Sequence, residues 1–120
     1  AMALKLAMNL NLAVVYQALA ESFRVATAAG IPAATYLAAL DLNVGKSGLS
    51  ELKKDKLVRR DWATQFSVKH MHKDLRLALS LAQSLGVTLP QTATVEQAYQ
   101  RAVAMGLGDA DFSALADTLG

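Results

Sequence analysis

Residues 2–32 read MALKLAMNLNLAVVYQALAESFRVATAAGIP, and this stretch decides the fold. From Met2 to Ala29 it is rich in Ala and Leu and holds neither Pro nor Gly. Such a composition predicts one long helix. Gly30 supplies a left-handed stop, and Pro32, just after Ile31, suits the first turn of the next helix. The long helix is apolar nearly all round, so it has to be covered on most of its faces. In a domain of this size it is expected to be the central post. Another domain or a second subunit could cover what the rest of the chain does not.

A run this apolar also has to be tested as a membrane or targeting segment. Lys5, Asn9, Asn11, Tyr16 and Gln17 lie inside it, which argues against a spanning helix. A secretory signal would carry its charge ahead of the apolar run and end at small residues, whereas here the helical pattern continues through Glu21 and Arg24. The stretch therefore reads as a buried helix, with no membrane partner expected.

Working outward, the second helix runs from Pro32 to about Asp41, and Leu42 to Gly48 is a loop with two glycines. Ser50 to Arg60 is charged and is expected to be a solvated helix. Trp62 to Ser67 is irregular. A helix follows from about Val68 to Leu85, with Gly86 as its stop. After the connector Val87–Leu89, Pro90 opens a helix to about Met105, which Gly106 and Gly108 break. Asp111 can cap a last helix from Phe112 to Leu119. No stretch alternates long enough for a strand, and no glycine-rich dinucleotide fingerprint follows one. The expected fold class is all-α, about six helices packed around the long apolar first helix.

The chain has 120 residues, which makes residues 1–120 a single domain, and 53% of them are apolar, enough for a real core. A formal net charge of +2 gives no warrant for nucleic acid or an anionic membrane as partner. There is no cysteine, so disulfide and thiolate chemistry are excluded. That composition is compatible with a reducing compartment, and a cytoplasmic location is expected.

Two places hold polar residues suited to chemistry. Lys5 and Asn9 are one helical turn apart and share a face. Leu4, Leu6, Met8 and Leu12 are expected to desolvate the lysine, and desolvation favours the neutral amine that a general base needs. Asn9 can offer its amide to a substrate hydroxyl or carboxylate. Spacing alone also admits a lysine whose stem lies along the helix while its head reaches water. The second place is Lys73–Asp74, followed by Leu75, Leu77, Ala78, Leu81 and Ala82, which are expected to face inward. Here too, spacing alone admits a solvated lysine–aspartate step. His70 and His72 are two residues apart and point about 200° from each other on a helix, so they make no metal pair. No metal site is expected. Trp62, Tyr36 and Tyr99 read as core or interface aromatics.

Taken in order, the chain shows Lys5-x-x-x-Asn9 and Ala20–Glu21, then Phe66 and His70–Met71–His72–Lys73–Asp74–Leu75-x-Leu77–Ala78. Leu89–Pro90-x-Thr92–Ala93 and Gly106-x-Gly108-x-Ala110–Asp111–Phe112–Ser113–Ala114–Leu115 follow. The series resembles the helical C-terminal domain of the β-hydroxyacid dehydrogenases, the family of 3-hydroxyisobutyrate dehydrogenases and tartronate semialdehyde reductases in the 6-phosphogluconate dehydrogenase superfamily. It runs nearly end to end.

The resemblance implies a 6-phosphogluconate dehydrogenase C-terminal-like fold and an NAD(P)-dependent enzyme that oxidises a small 3-hydroxy acid or reduces the matching semialdehyde. It implies Lys5 as the catalytic proton-transfer residue and Asn9 as substrate-binding. Lys73 and Phe66 are implied as cofactor contacts, and Asp74 and Glu21 as structural. The family's glycine four residues before the lysine falls on Ala1, a departure that bears on how closely the backbone meets substrate. NAD or NADP would be bound mainly by an N-terminal Rossmann domain that these residues do not include, so the fragment alone is expected to be inactive. That domain and a second copy of the chain, in a homodimer or higher homo-oligomer, are the expected partners. Two other readings stay open. One is a non-enzymatic helical dimerisation module. The other is an imine reductase-like enzyme, against which Lys5 speaks, since those enzymes usually carry Asp or Tyr there.

Overall fold

The structure is a computed structural model that describes residues 1–120. It contains five α-helices: α1 (Met2–Ala28), α2 (Ala33–Asp41), α3 (Gly48–Arg59), α4 (Val68–Leu85) and α5 (Pro90–Ala104). A 3-10 helix (Phe112–Thr118) closes the chain, and the only β-type pairing is an isolated bridge between Ser67 and Asp111. The all-α expectation holds. The last segment is a 3-10 turn rather than an α-helix. At seven residues it is too short for α-helical bonds to accumulate, and such tighter turns are used in short pieces.

The punctuation behaves as the residues predict. Gly30 and Gly86 sit at φ +89° and +72°, the left-handed region where a Cβ is disfavoured, and each follows a helix end. Asp111 accepts from the amide of Ser113 at 3.1 Å and so caps the 3-10 helix. α3 begins earlier than expected because Ser47 and Ser50 form a reciprocal capping box, each side chain accepting from the other's amide.

α1 packs against α4, α3, α5 and the 3-10 helix, and α4 packs against α5. The core gathers Ala13 and Tyr16 of α1, Met71 and Leu75 of α4, Tyr99 of α5 and Leu115. Tyr16 donates its hydroxyl to the carbonyl of Ser113 at 2.6 Å and meets Phe112 edge-on at 5.5 Å. Tyr99 is thus a core aromatic. Tyr36 and Trp62 pack, half-buried, at the core's margin.

Three expectations need correction. α1 is long and apolar enough by composition to cross a bilayer, but it is covered along one stripe only: Leu6, Ala13, Tyr16, Gln17, Leu19 and Ala20. Leu4, Met8 and Val25 on its other faces are exposed. Five shorter elements cannot surround a helix of 27 residues. α3 is not simply solvated, because Leu49, Ser50, Lys53 and Leu57 are buried along one face. Leu77 does not face inward. It is 40% exposed, since it lies two residues from the buried Leu75 and so points to the far side of α4.

Candidate functional site

The first turns of α1 cross the first half of α4, and this crossing assembles the polar cluster. Asn9 donates its Nδ2 to Asp74 Oδ2 at 2.7 Å. The ammonium of Lys5 lies 3.9 Å from the same oxygen. Asp74 is only 7% exposed at its side chain, while Lys5 is 57% exposed. The shared helix face of Lys5 and Asn9 therefore converges on one carboxylate contributed from 65 residues away in sequence. Asp74 is the residue whose part sequence reasoning understated: beyond holding a nearby cation, it fixes the Asn9 amide. Its oxygen leaves Asn9 Oδ1 free to accept from a bound hydroxyl.

The expected desolvation of Lys5 is absent in this chain. Of the four residues named for it, only Leu6 is buried, and Leu4, Met8 and Leu12 are exposed. Glu21, implied as structural, is exposed and makes no ion pair.

Asn9 also lines a cleft of about 640 Å³, whose other walls include Leu12, Leu49, Phe66, Met71 and Phe112. Phe66 and Asn9 thus share one cavity. Lys73 does not join them. It is exposed and lines a separate hollow of about 370 Å³ with Arg76, Leu77 and Ser80. Two cations there are available to an anionic group, and Phe66 offers an aromatic ring at the edge of the cleft. The two implied cofactor contacts thus line different hollows and share no cavity. His70 Nδ1 lies 2.6 Å from Ser67 Oγ, and His72 Nε2 lies 2.6 Å from Glu96 Oε2, so each histidine is engaged by its own neighbour.

Beside the cleft lies a second lysine–aspartate pair that the sequence reading did not single out. Lys53 Nζ sits 2.9 Å from Asp111 Oδ2, with the two side chains 1% and 0% exposed. The ammonium also donates to Gln65 Oε1 at 3.0 Å and lies 4.5 Å from the centre of the Phe112 ring. Burial works against the charge of Asp111. Its bonds with Ser113, Lys53 and the amides of Gln65 and Phe66 outweigh that and hold its pKa at about 2, below the usual 3.8. A lysine in a charged stretch gives no local sign that it will be buried. The only available signal was its spacing, four residues after Leu49 and four before Leu57.

Comparison with known proteins places the chain in a family. A family model described as NAD-binding of NADP-dependent 3-hydroxyisobutyrate dehydrogenase matches residues 1–119. The chain is 31% identical over 116 residues to glyoxylate/succinic semialdehyde reductase 1 of Arabidopsis thaliana, covering 97% of this chain and 40% of that protein. It is 36% identical over 96 residues to the cytokine-like nuclear factor N-PAC of Anopheles gambiae, covering 80% of this chain and 17% of that protein. A crystal structure of 3-hydroxyisobutyrate dehydrogenase from Salmonella typhimurium superposes with a TM-score of 0.90 at 28% identity, over 97% of this chain and 41% of that one. The chain thus spans well under half the length of the relatives it matches.

Proposed function

The chain belongs to the family of NAD-binding domains of NADP-dependent 3-hydroxyisobutyrate dehydrogenase, and from that premise we propose that it is the helical, substrate-handling domain of an NAD(P)-dependent oxidoreductase. The reaction is the reversible interconversion of a small 3-hydroxy acid and its semialdehyde. The observation that carries this reading is the convergence of Lys5 and Asn9 on Asp74 beside a cleft.

The roles follow from that arrangement. Asn9, its amide fixed by Asp74, orients the substrate hydroxyl or carboxylate. Lys5 gives a proton to the carbonyl oxygen during reduction and takes it from the hydroxyl during oxidation. Asp74 stabilises the ammonium and keeps it near the substrate. The nicotinamide supplies the hydride when bound. Lys73, with Arg76, and the ring of Phe66 are the residues of this chain that would touch the cofactor. The remaining contacts belong to an N-terminal Rossmann domain, which also covers Lys5 and supplies the desolvation missing here. Which of NAD and NADP is used is set on that domain.

The bare side of α1, with Leu4, Met8, Leu12 and Val15 at helical spacing, supports a homodimer built on this helix. Sedimentation is expected to show a dimer at micromolar concentration, and a Met8→Glu variant is expected to dissociate it. A monomeric parent protein would remove this part of the proposal.

The test of function is turnover by the full-length protein of a panel of small semialdehydes with NADPH and NADH, followed at 340 nm. Reduction of at least one is expected. A second reading, a non-enzymatic helical module, is favoured by the likeness to a protein named as a nuclear factor rather than a reductase. Full-length protein that binds NAD(P)H but turns over nothing would select it.

A further inference from the structure

We propose that the buried Lys53–Asp111 pair is a positioning device for the cleft, clamping the Gln65–Phe66 backbone so that the Phe66 ring forms a fixed wall of the cavity that Asn9 also lines. The idea deepens the dehydrogenase reading and rests on it for its kinetic consequences.

The reasoning starts from cost. Removing two charges from water is expensive, and a buried ion pair replaced by apolar residues often leaves a protein as stable or more so. Stability alone is therefore a weak account of a pair exposed by only 1% and 0%. What the pair does locally is specific. Asp111 Oδ1 accepts from the amides of Gln65 at 3.0 Å and Phe66 at 3.1 Å. Its Oδ2 accepts from Lys53 and from Ser113, whose amide and hydroxyl both donate to it.

Lys53 closes the loop from the other side by donating to Gln65 Oε1. The carbonyl of Phe66 in turn accepts from the amide of Phe112 at 2.8 Å, and the Phe112 ring meets Phe66 edge-on at 6.5 Å. Both backbone polar groups of Phe66 are therefore held by the segment that carries Asp111. Trp62 to Ser67 has no helix or strand of its own to fix it. The neighbouring bridge of Ser67 with Asp111 and the bond from the Asp111 amide to the Trp62 carbonyl anchor the two ends of the segment, and the Asp111 carboxylate holds the amides of Gln65 and Phe66 between them. Lys53, Gln65 and Phe66 all line the same cleft as Asn9.

A purely structural pair and a positioning pair differ in what its loss does at Phe66. The experiment compares Lys53→Met, Phe66→Ala and their double variant in the full-length enzyme, with Gln65→Ala as a gentler break of the same clamp. Lys53→Met keeps the apolar stem, and Asp111 keeps its four other hydrogen bonds, so folding is expected to survive. Lys53→Met is expected to lower kcat/KM about tenfold alone, and to add less than about twofold once Phe66 is already Ala. Gln65→Ala is expected to act in the same direction by about threefold, and it decides the kinetic arm if Lys53→Met does not fold.

Amide hydrogen exchange supplies a readout that needs no turnover. Lys53→Met or Gln65→Ala is expected to speed exchange at Gln65 and Phe66 at least tenfold while leaving Ala13 and Tyr16 unchanged. Equal kinetic losses in both backgrounds, or exchange that rises evenly across the core, would overturn the proposal. Full-length protein that turns over no semialdehyde defeats the enzymatic reading instead, and the exchange measurement then still decides whether the clamp exists.

Discussion

Two lysine–aspartate pairs sit in this domain, and they are opposites. Lys5 and Asp74 stand 3.9 Å apart, with the lysine more than half exposed. Lys53 and Asp111 touch at 2.9 Å with both side chains out of water. The first pair is loose and open, which is what the proton-transfer role proposed for its lysine requires. The second is enclosed by hydrogen-bond partners on both sides, so it is suited to holding and not to reacting. In the roles proposed above, the same two residue types serve as a proton-transfer site or a clamp according to how many other groups already occupy their hydrogen-bonding positions.

The contrast breaks most sharply at Lys5. On the proposed dehydrogenase reading, Lys5→Ala in the full-length protein is expected to lower kcat by about 10²–10⁴-fold. Lys5→Arg is expected to fail almost as badly, because a guanidinium stays protonated. Thermal unfolding of both variants is expected to match the parent, since the side chain is mostly in water. A near-normal kcat across the pH range in Lys5→Ala would remove the acid–base role.

At the closed pair the effect is expected on stability first. Asp111→Ala leaves an ammonium buried without its counter-charge and takes the acceptor from three backbone amides, those of Gln65, Phe66 and Ser113. It is expected to cost about 3–5 kcal/mol in urea unfolding. Lys53→Met is expected to cost much less, because Asp111 retains its other donors. Equal losses would mean that the two halves of the pair are not as unequal as their hydrogen bonds indicate.

Asp74→Asn sharpens the comparison from the open side. It keeps the shape but removes the charge that faces Lys5, and about a tenfold to hundredfold fall in kcat/KM is expected, with little change in unfolding. An unchanged kcat/KM would show that the Asp74 charge does not serve the site.

The smallest expected effect is acid sensitivity. The folded Asp111 carboxyl is held at about 2 against an ordinary 3.8. Its folded value is depressed, so the stability it contributes is complete above the ordinary carboxylate range and is lost as pH falls from there toward 2. Urea midpoints measured between pH 5 and pH 2 are expected to drop, and Asp111→Asn is expected to flatten that drop. An identical slope in the variant would place the acid response elsewhere.

Much of the fold was legible because it is written locally. Gly30, Gly86, Pro32 and Pro90 mark helix ends by backbone chemistry alone, and α4 spans the range that its pattern predicts. The Lys5–Asn9 face was legible for the same reason, since one helical turn separates the two. What could not be read was non-local. Nothing near Asp74 announces that Asn9, 65 residues earlier, will reach its carboxylate. Nothing near Lys53 announces Asp111, 58 residues later. Leu77 was misplaced by hydrophobicity taken without angle, whereas the composition of α1 rightly signalled a need for more cover than this chain holds.

The length of α1 has a mechanical consequence. At about 1.5 Å per residue its 27 residues make a rod roughly 40 Å long, gripped near its middle at Tyr16. Lys5 rides about 16 Å out along one arm, so a tilt of about 3° sweeps it through about 1 Å, a displacement that can change a reaction rate by ~10²-fold. The other arm ends where Phe23 meets Tyr36 of α2 and where Arg24 Nε donates to the Gly120 carbonyl at 2.9 Å. A shift at those contacts would reach the Lys5 end only by straining the buried Leu6 and the bond from Asn9 to Asp74, so these two set how stiff that arm is.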